Sequence, residues 1–247
     1  MAGSSSAHTR SLTQPAALSP LRPEPGRPPL QVEPGLWLFA PNRRTQGGSS
    51  WLLEGDAGLG RPDLLVDAPA VTEANRAFLQ QRRRLVGDEG GLIVLTHRGG
   101  HGQIGVVQAQ CGWPVLLQEQ EAYLLPGLPR CCTFAAGEEP VAGVRLLWTP
   151  GPTPGSCVLH VSSGAIDGLF CGRLLVPVGP GALAPLRSAG TFHWPRQLAS
   201  LAALINGLPQ GSPRWIATAA ALGALRGQHL VMNGSQMLKA LALERFC

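Results

Sequence analysis

The sequence predicts a layered α/β sandwich, and three observations predict it. Apolar residues fill 44% of the 247 positions and charged residues only 14%. That supplies a sizeable core and leaves too little charge for a coiled coil or a solvated helical rod. The 32 glycines and 23 prolines imply many turns between short elements, which argues against a helical bundle. Short β-like runs come in two series, each trailed by helical segments, as expected of sheets covered by helices.

The elements follow in order. Residues 1–29 are poor in apolar side chains and carry six prolines and the run Ser4-Ser5-Ser6. They are expected to be a disordered tail ahead of one domain, 30–247. The absence of acids before Glu24 superficially suits a transit peptide, but a plain extension is the preferred reading. Residues 36–39 and 50–53 read as strands joined by a polar turn over 42–48, and 63–67 as a short buried strand ending in an acid. Thr72 can cap a helix that ends in Arg82-Arg83-Arg84, where cations suit the helix dipole. Residues 91–95 form a fully apolar strand that runs into the loop Thr96-His97-Arg98-Gly99-Gly100-His101-Gly102 and a helix carrying Ile104 and Val107. A strand at 115–117 and a short helix at 119–125 follow, with Cys131 and Cys132 placed in a loop. The strand 144–148 leads into the loop 149–156, and 157–161 and 168–171 are paired strands. Helices at 195–205, with Pro at the first turn, and at 235–245 flank a strand at 215–217. Phe192 and Trp194 are expected to staple the start of the first of these helices.

The net charge of +5 carries little functional meaning: of the 20 basic residues all but Lys239 are arginine, a bias of composition. The single basic run ends a predicted helix, and there is one tyrosine, so nucleic-acid binding is not expected. No apolar run reaches about 18 residues, so no membrane span is expected. The six cysteines form no CxxC pair, which fits reduced thiols and a cytoplasmic location.

Four segments carry a family resemblance. DLLVDAPA, LIVLTHRGGHG, WTPGPTPGSCVLH and GLFCGRLL resemble, in order and spacing, the segments of metallo-β-lactamase-fold hydrolases: a strand ending in a structural Asp, then T-H-x-H-x-D-H, T-P-G-H-T-P-G-S and L-F-T-G-D. The resemblance covers residues 30–226 and implies a four-layer αββα sandwich with its site along one edge of the sheets. THRGG, the G-R pair and TFHWPRQL look like a metal-ligand-poor branch of this superfamily from cyanobacteria and plastids.

The resemblance implies a dinuclear zinc or iron site held by His and Asp, because neutral imidazole and carboxylate supply lone pairs and compensating charge. Only His97 keeps its ligand type. Gly99 and Gly102 stand where the second and third His belong, His101 where the Asp belongs, and Pro152 replaces the His of the second loop. Arg173 replaces the bridging Asp, and the last strand end reads Ala217-Thr218-Ala219-Ala220. At about 4 Å and an effective dielectric near 20, a guanidinium and a divalent cation repel by roughly 8 kcal/mol. The metal centre is therefore expected to be lost, with no cofactor.

The expected function is that of a pseudoenzyme: a non-catalytic anion-binding or protein-assembly factor. His97, Arg98, Gly100, His101 and Arg173 would line its former metal cleft, the Gly-rich loop would offer helix N-terminal N–H groups, and His193 and Arg196 would border the mouth. The partner would be a small anion or a protein. The alternative is a hydrolase of a thioester, phosphoester or lactone. It would be metal-free, with His97 or His101 as base and Arg173 stabilising the oxyanion, or would hold one metal with help from Cys171, Cys157 or His160. Cys171 or Cys157 could also act as nucleophile. The bland reading of His97 is a hydrogen bond to backbone.

Overall fold

The computed structural model describes residues 24–246. The predicted tail falls outside the described residues as far as residue 23. Residues 24–29 run past the start of the first helix, where the Glu24 and Pro25 carbonyls accept the Glu73 and Ala74 N–H groups at 2.9 and 3.1 Å.

The first sheet holds seven strands in chain order: β1 (Leu30–Glu33), β2 (Leu36–Asn42), β3 (Gly48–Leu53), β4 (Asp63–Val66), β5 (Gly91–Leu95), β6 (Val115–Gln118) and β7 (Cys131–Phe134). β1 to β4 pair antiparallel and β4 to β7 parallel. The parallel steps require crossovers, supplied by α1 (Glu73–Val86), α2 (Ile104–Cys111) and a 3-10 segment, Glu119–Leu124. Thr72 Oγ1 caps α1 through the Asn75 N–H, as predicted. The Arg run at its end does more than complement the dipole. Arg82 grips the fully buried Asp63 with two N–H groups at 2.8 and 2.9 Å and reaches Glu54 at 3.1 Å.

The remaining strands are β8 (Gly137–Val141), β9 (Val144–Trp148), β10 (Cys157–Ser163), β11 (Ile166–Phe170), β12 (Val176–Gly179), β13 (Ala182–Ala184), β14 (Trp215–Ala217) and β15 (Val231–Met232). The second sheet runs β15-β14-β11-β10-β9-β8, and β12 and β13 form a separate hairpin. α3 (Trp194–Gly207) and α4 (Gly234–Lys239) cover its outer face.

Strand alternation sorts the apolar side chains into three layers of core. Leu64, Val66 and Val94 face Leu146, Leu159 and Phe170 between the sheets. Leu65, Ile93 and Leu95 point the other way, onto Leu79 of α1 and Val107 of α2. Val158, Leu169 and Ile216 meet Leu201 and Leu204 of α3 and Leu238 of α4. Three cores between four layers are the αββα sandwich.

Four local expectations are corrected. Cys131 and Cys132 lie in β7, an edge strand, not a loop. The helix expected over 235–245 stops at Lys239 and resumes as a 3-10 turn, Leu243–Phe246. Residues 119–124 are 3-10 rather than α-helical. No staple opens α3: Trp194 is its first residue and donates its indole N–H to the Phe246 carbonyl at 2.9 Å, while Phe192 is exposed.

Candidate functional site

The two sheets are joined along one edge by backbone hydrogen bonds between their loops. Cys157 N–H donates to Thr96 O at 2.8 Å and Ser49 N–H to Ala219 O at 2.8 Å, while within the second sheet Ala219 N–H donates to Gly172 O at 2.8 Å. The loop after β5, the loop after β9, the turn after β11 and the end of β14 therefore converge, although they come from all along the chain.

Asp67, just past β4, organises the first loop. It sits at φ +60°, and its carboxylate accepts Thr96 N–H at 2.8 Å and Thr96 Oγ1–H at 2.7 Å. Thr96 Oγ1 is also 2.9 Å from His97 Nδ1. With the hydroxyl proton given to Asp67, Nδ1–H of His97 is the donor in that second contact, which leaves Nε2 with the lone pair. Nε2 is buried and has no partner among the described residues. The loop closes tightly here: a Cβ on Gly100 would lie 2.2 Å from Asp67 Oδ1, so only glycine fits.

Burial dominates the electrostatics. It pushes the Asp67 carboxyl up to about 6, against the Thr96 hydrogen bonds and the charges of His101 and Arg173. It pulls His97 down to about 3, assisted by the positive fields of Arg173 and His101, so the ring is neutral at pH 7.

Arg173 enters the same space from the turn after β11. One of its terminal nitrogens donates to Thr45 O and Gln46 O at 2.9 Å each, and the other to Gln46 Oε1 at 3.4 Å. All three acceptors belong to the turn between β2 and β3. The guanidinium is half-buried and bonds to neutral oxygens only.

A cavity of about 540 Å³ opens between these loops. His97, Arg98, Gly99, Thr153 and Arg173 form its polar walls, Gln46, Ser188 and Thr191 add hydrogen-bonding groups, and Pro152, Val176, Leu186 and Ala220 are apolar. Among the described residues no carboxylate lines it.

Not every expected residue lies there. His101 is buried behind the loop with Nε2 3.6 Å from Glu121 Oε2, and does not line the cavity. Gly100 is enclosed against Asp67. The Gly-rich loop does not present a helix N-terminus to the cavity: Gly102 packs near Ala68 and Thr45, and the N–H groups of Gly100, His101 and Ile104 bond within the loop. His193 caps α3, accepting Arg196 N–H at 3.1 Å, and Arg196 lies over the Trp148 ring at 5.4 Å. Both flank Thr191 without lining the cavity. Cys171 lies beyond the end of β11, where the strand alternation assumed for it has stopped, and is fully buried against Leu174 and Leu175. Burial pushes its thiol up to about 12, and that of Cys157 well above the usual range. His160 bonds Ser212 inside the second sheet. The bland reading of His97 is corrected too: its partner is the Thr96 side chain, not backbone.

Glu121 was missed. It is buried and accepts Gly155 N–H at 3.1 Å, tying the two loops together. Burial would raise its carboxyl, but the His101 and Thr153 side chains and the Gly155 N–H outweigh that and hold it low. The Arg173 anchors on Thr45 and Gln46 were missed as well. Backbone carbonyls in a polar turn leave no mark in sequence.

The donor set does not fit a dinuclear metal centre. His97 Nε2 is its one imidazole lone pair, Arg173 holds a permanent positive charge beside it, and glycine, proline and alanine carry no ligand atoms. Among the described residues no three His, Cys, Asp or Glu side chains converge as metal ligands. Nor is any helix among them long and apolar enough to cross a membrane.

Comparison with solved structures establishes the fold. The chain superposes on an archaeal metallo-β-lactamase superfamily protein from Sulfolobus tokodaii with a TM-score of 0.56 and 16% identity, covering 86% of each chain. It matches a metallo-β-lactamase family protein from Thermus thermophilus with a TM-score of 0.54 and 22% identity, over 87% of this chain and 81% of that one. It also matches a metallo-β-lactamase from Pontibacter korlensis with a TM-score of 0.57 and 16% identity, over 86% and 98%. The chain has the metallo-β-lactamase fold. No protein-family model matches it, and comparison with curated proteins finds no match.

Proposed function

We propose that this chain is a non-catalytic, metal-free protein built on the metallo-β-lactamase fold, whose former metal cleft binds a small anion or the acidic group of a partner protein. The observation that carries this reading is Arg173. It is a half-buried guanidinium in a cavity with no carboxylate wall among the described residues: its terminal nitrogens bond only neutral oxygens, its Nε is left without a partner there, and the buried Asp67 carboxylate acts on it through space without an ion-pair contact. Arg98, exposed on the opposite loop, adds a second cation. An anion between them gains charge-assisted hydrogen bonds that water supplies less well.

The same geometry argues against the hydrolase alternative. A base held down to about 3 has little proton affinity at neutral pH, and its free nitrogen is buried. His101 is out of the cavity, and the buried Cys157 and Cys171 thiols resist ionisation. The mouth also carries exposed apolar side chains, Leu186 on its wall and Phe192 beside Thr191, which suits a protein partner.

The test is thermal unfolding of the full chain with inorganic phosphate against chloride at matched ionic strength. Phosphate is expected to raise the melting temperature by mass action, and Arg173→Ala to abolish the increment. An unchanged wild-type curve, or an increment that survives Arg173→Ala, contradicts the reading.

A further inference from the structure

On the other side of the turn between β2 and β3 lies a second concavity, of about 1120 Å³. Three separate chain segments bring arginines to it: Arg27 before β1, Arg43 and Arg44 on the turn, and Arg76 in the first turn of α1. None of the four pairs with a carboxylate among the described residues. Arg76 has a long contact, 3.4 Å, to Gln110 Oε1. Among the described residues Glu24 is the one acid on the walls. Arg82, Arg83 and Arg130, by contrast, are each matched to Asp or Glu.

Four like charges around one groove repel each other, and three of the side chains are exposed rather than packed for stability. Asn42 adds a further feature. Its Oδ1 accepts Thr45 N–H at 3.1 Å, which fixes the amide's orientation and leaves the Nδ2 donor at the groove wall with no acceptor. We infer that this groove is a second anion site, distinct from the cleft, that takes a small ligand bearing several phosphate groups. Guanidinium forks match phosphate oxygens bidentately. One phosphate cannot fill a cavity of this volume or reach arginines on all of its walls. Among the described residues no aromatic side chain lines the groove, which leaves it without the stacking platform that single-stranded nucleic acid uses.

The test is calorimetric titration of the full chain with sodium tripolyphosphate in low salt, beside the same titration with a single-stranded oligothymidylate. Tripolyphosphate is expected to fill a saturable site of its own at the groove, besides any anion held at the cleft. The double variant R43E/R44E, on an exposed turn, should weaken it at least about tenfold, and Arg76→Glu should also weaken it. Arg98→Ala, which strips a cation from the cleft and leaves the turn untouched, should leave the affinity of the groove site, the one that R43E/R44E weakens, within about twofold. Full affinity in R43E/R44E overturns the proposal, as does loss of binding in Arg98→Ala, which would place the anion in the cleft. Binding of the oligothymidylate as tight as that of tripolyphosphate overturns the choice of ligand. Because the cleft is tested through Arg173 and the groove through Arg43 and Arg44, either reading can fail alone.

Discussion

The molecule contains the same chemical arrangement twice. At the cleft a carboxylate, a hydroxyl and an imidazole follow one another as Asp67, Thr96 and His97. Inside the second sheet they recur as Asp167, Ser212 and His160. Each hydroxyl lies between acid and ring, and each ring keeps one buried nitrogen without a partner: Nε2 of His97 and Nδ1 of His160. Burial lowers both rings, His97 to about 3, and for His160 against the attraction of Asp167 and with help from Arg145. The difference lies in the surroundings. Asp67 is sealed and holds a loop together, while the Asp167 side chain keeps 19% of its surface in water and His160 is not among the residues that line the cleft. An acid–hydroxyl–imidazole chain is thus a structural knot in this fold, and position, not composition, is what puts the His97 copy on the wall of the cleft.

The comparison breaks most visibly under removal of the acids. Asp67→Ala strands two buried Thr96 donors and is expected to cost about 3–5 kcal/mol in urea unfolding. Asp167→Ala takes one acceptor from the buried Ser212 hydroxyl, which keeps His160 Nε2 at 2.7 Å, and should cost about 1 kcal/mol. Equal costs would erase the distinction.

Acid titration sharpens it next. His97 has a folded value of about 3 against an ordinary 6.5, so its contribution is present above 6.5 and lost as pH falls toward 3. Asp67 has a folded value of about 6 against 3.8, so its effect runs the other way: it favours the folded state at low pH and loses that advantage as pH rises from about 4 to 6. The two oppose each other over that window. Asp67→Asn keeps an acceptor for Thr96 N–H and removes the opposition. Its stability should therefore fall more steeply than wild type between pH 6 and 4, by up to about 1.4 kcal/mol per pH unit. Parallel curves would mean that Asp67 does not titrate in this range.

Smaller effects follow at the cleft. Arg173→Ala loses its hydrogen bonds to the Thr45 and Gln46 carbonyls and should cost about 2 kcal/mol in the same unfolding assay. Arg98→Ala, exposed and without a tether, should change stability by less than about 0.5 kcal/mol while weakening phosphate stabilisation.

Much of the fold was legible because its loops are written in glycine and proline after apolar strands. The 91–95 strand with THRGGHG and the 144–148 strand with TPGPTPGS fixed the layout, and Thr72 marked the start of α1. What escaped were elements without a pattern. β8 carries Glu138, Glu139 and Pro140 at the sheet's edge, and β7 is short and partly exposed. At the site, His97 was legible as the one residue that keeps its ligand type in the motif, and Arg173 as a departure from it. His101 was misplaced because a loop of 3-10 turns does not keep the spacing of an extended one, and Glu121 because long-range pairing through Gly155 has no local signature. Cys171 was misjudged by carrying strand alternation one residue past the strand.

The central claim is that a fixed arginine stands where a metal-bridging carboxylate would be, in a cleft without a ligand set. Elemental analysis of protein purified without chelators tests it most directly. Zinc and iron are expected well below stoichiometry in both wild type and His97→Ala. Near one metal per chain in the wild type, lost in His97→Ala, would contradict it.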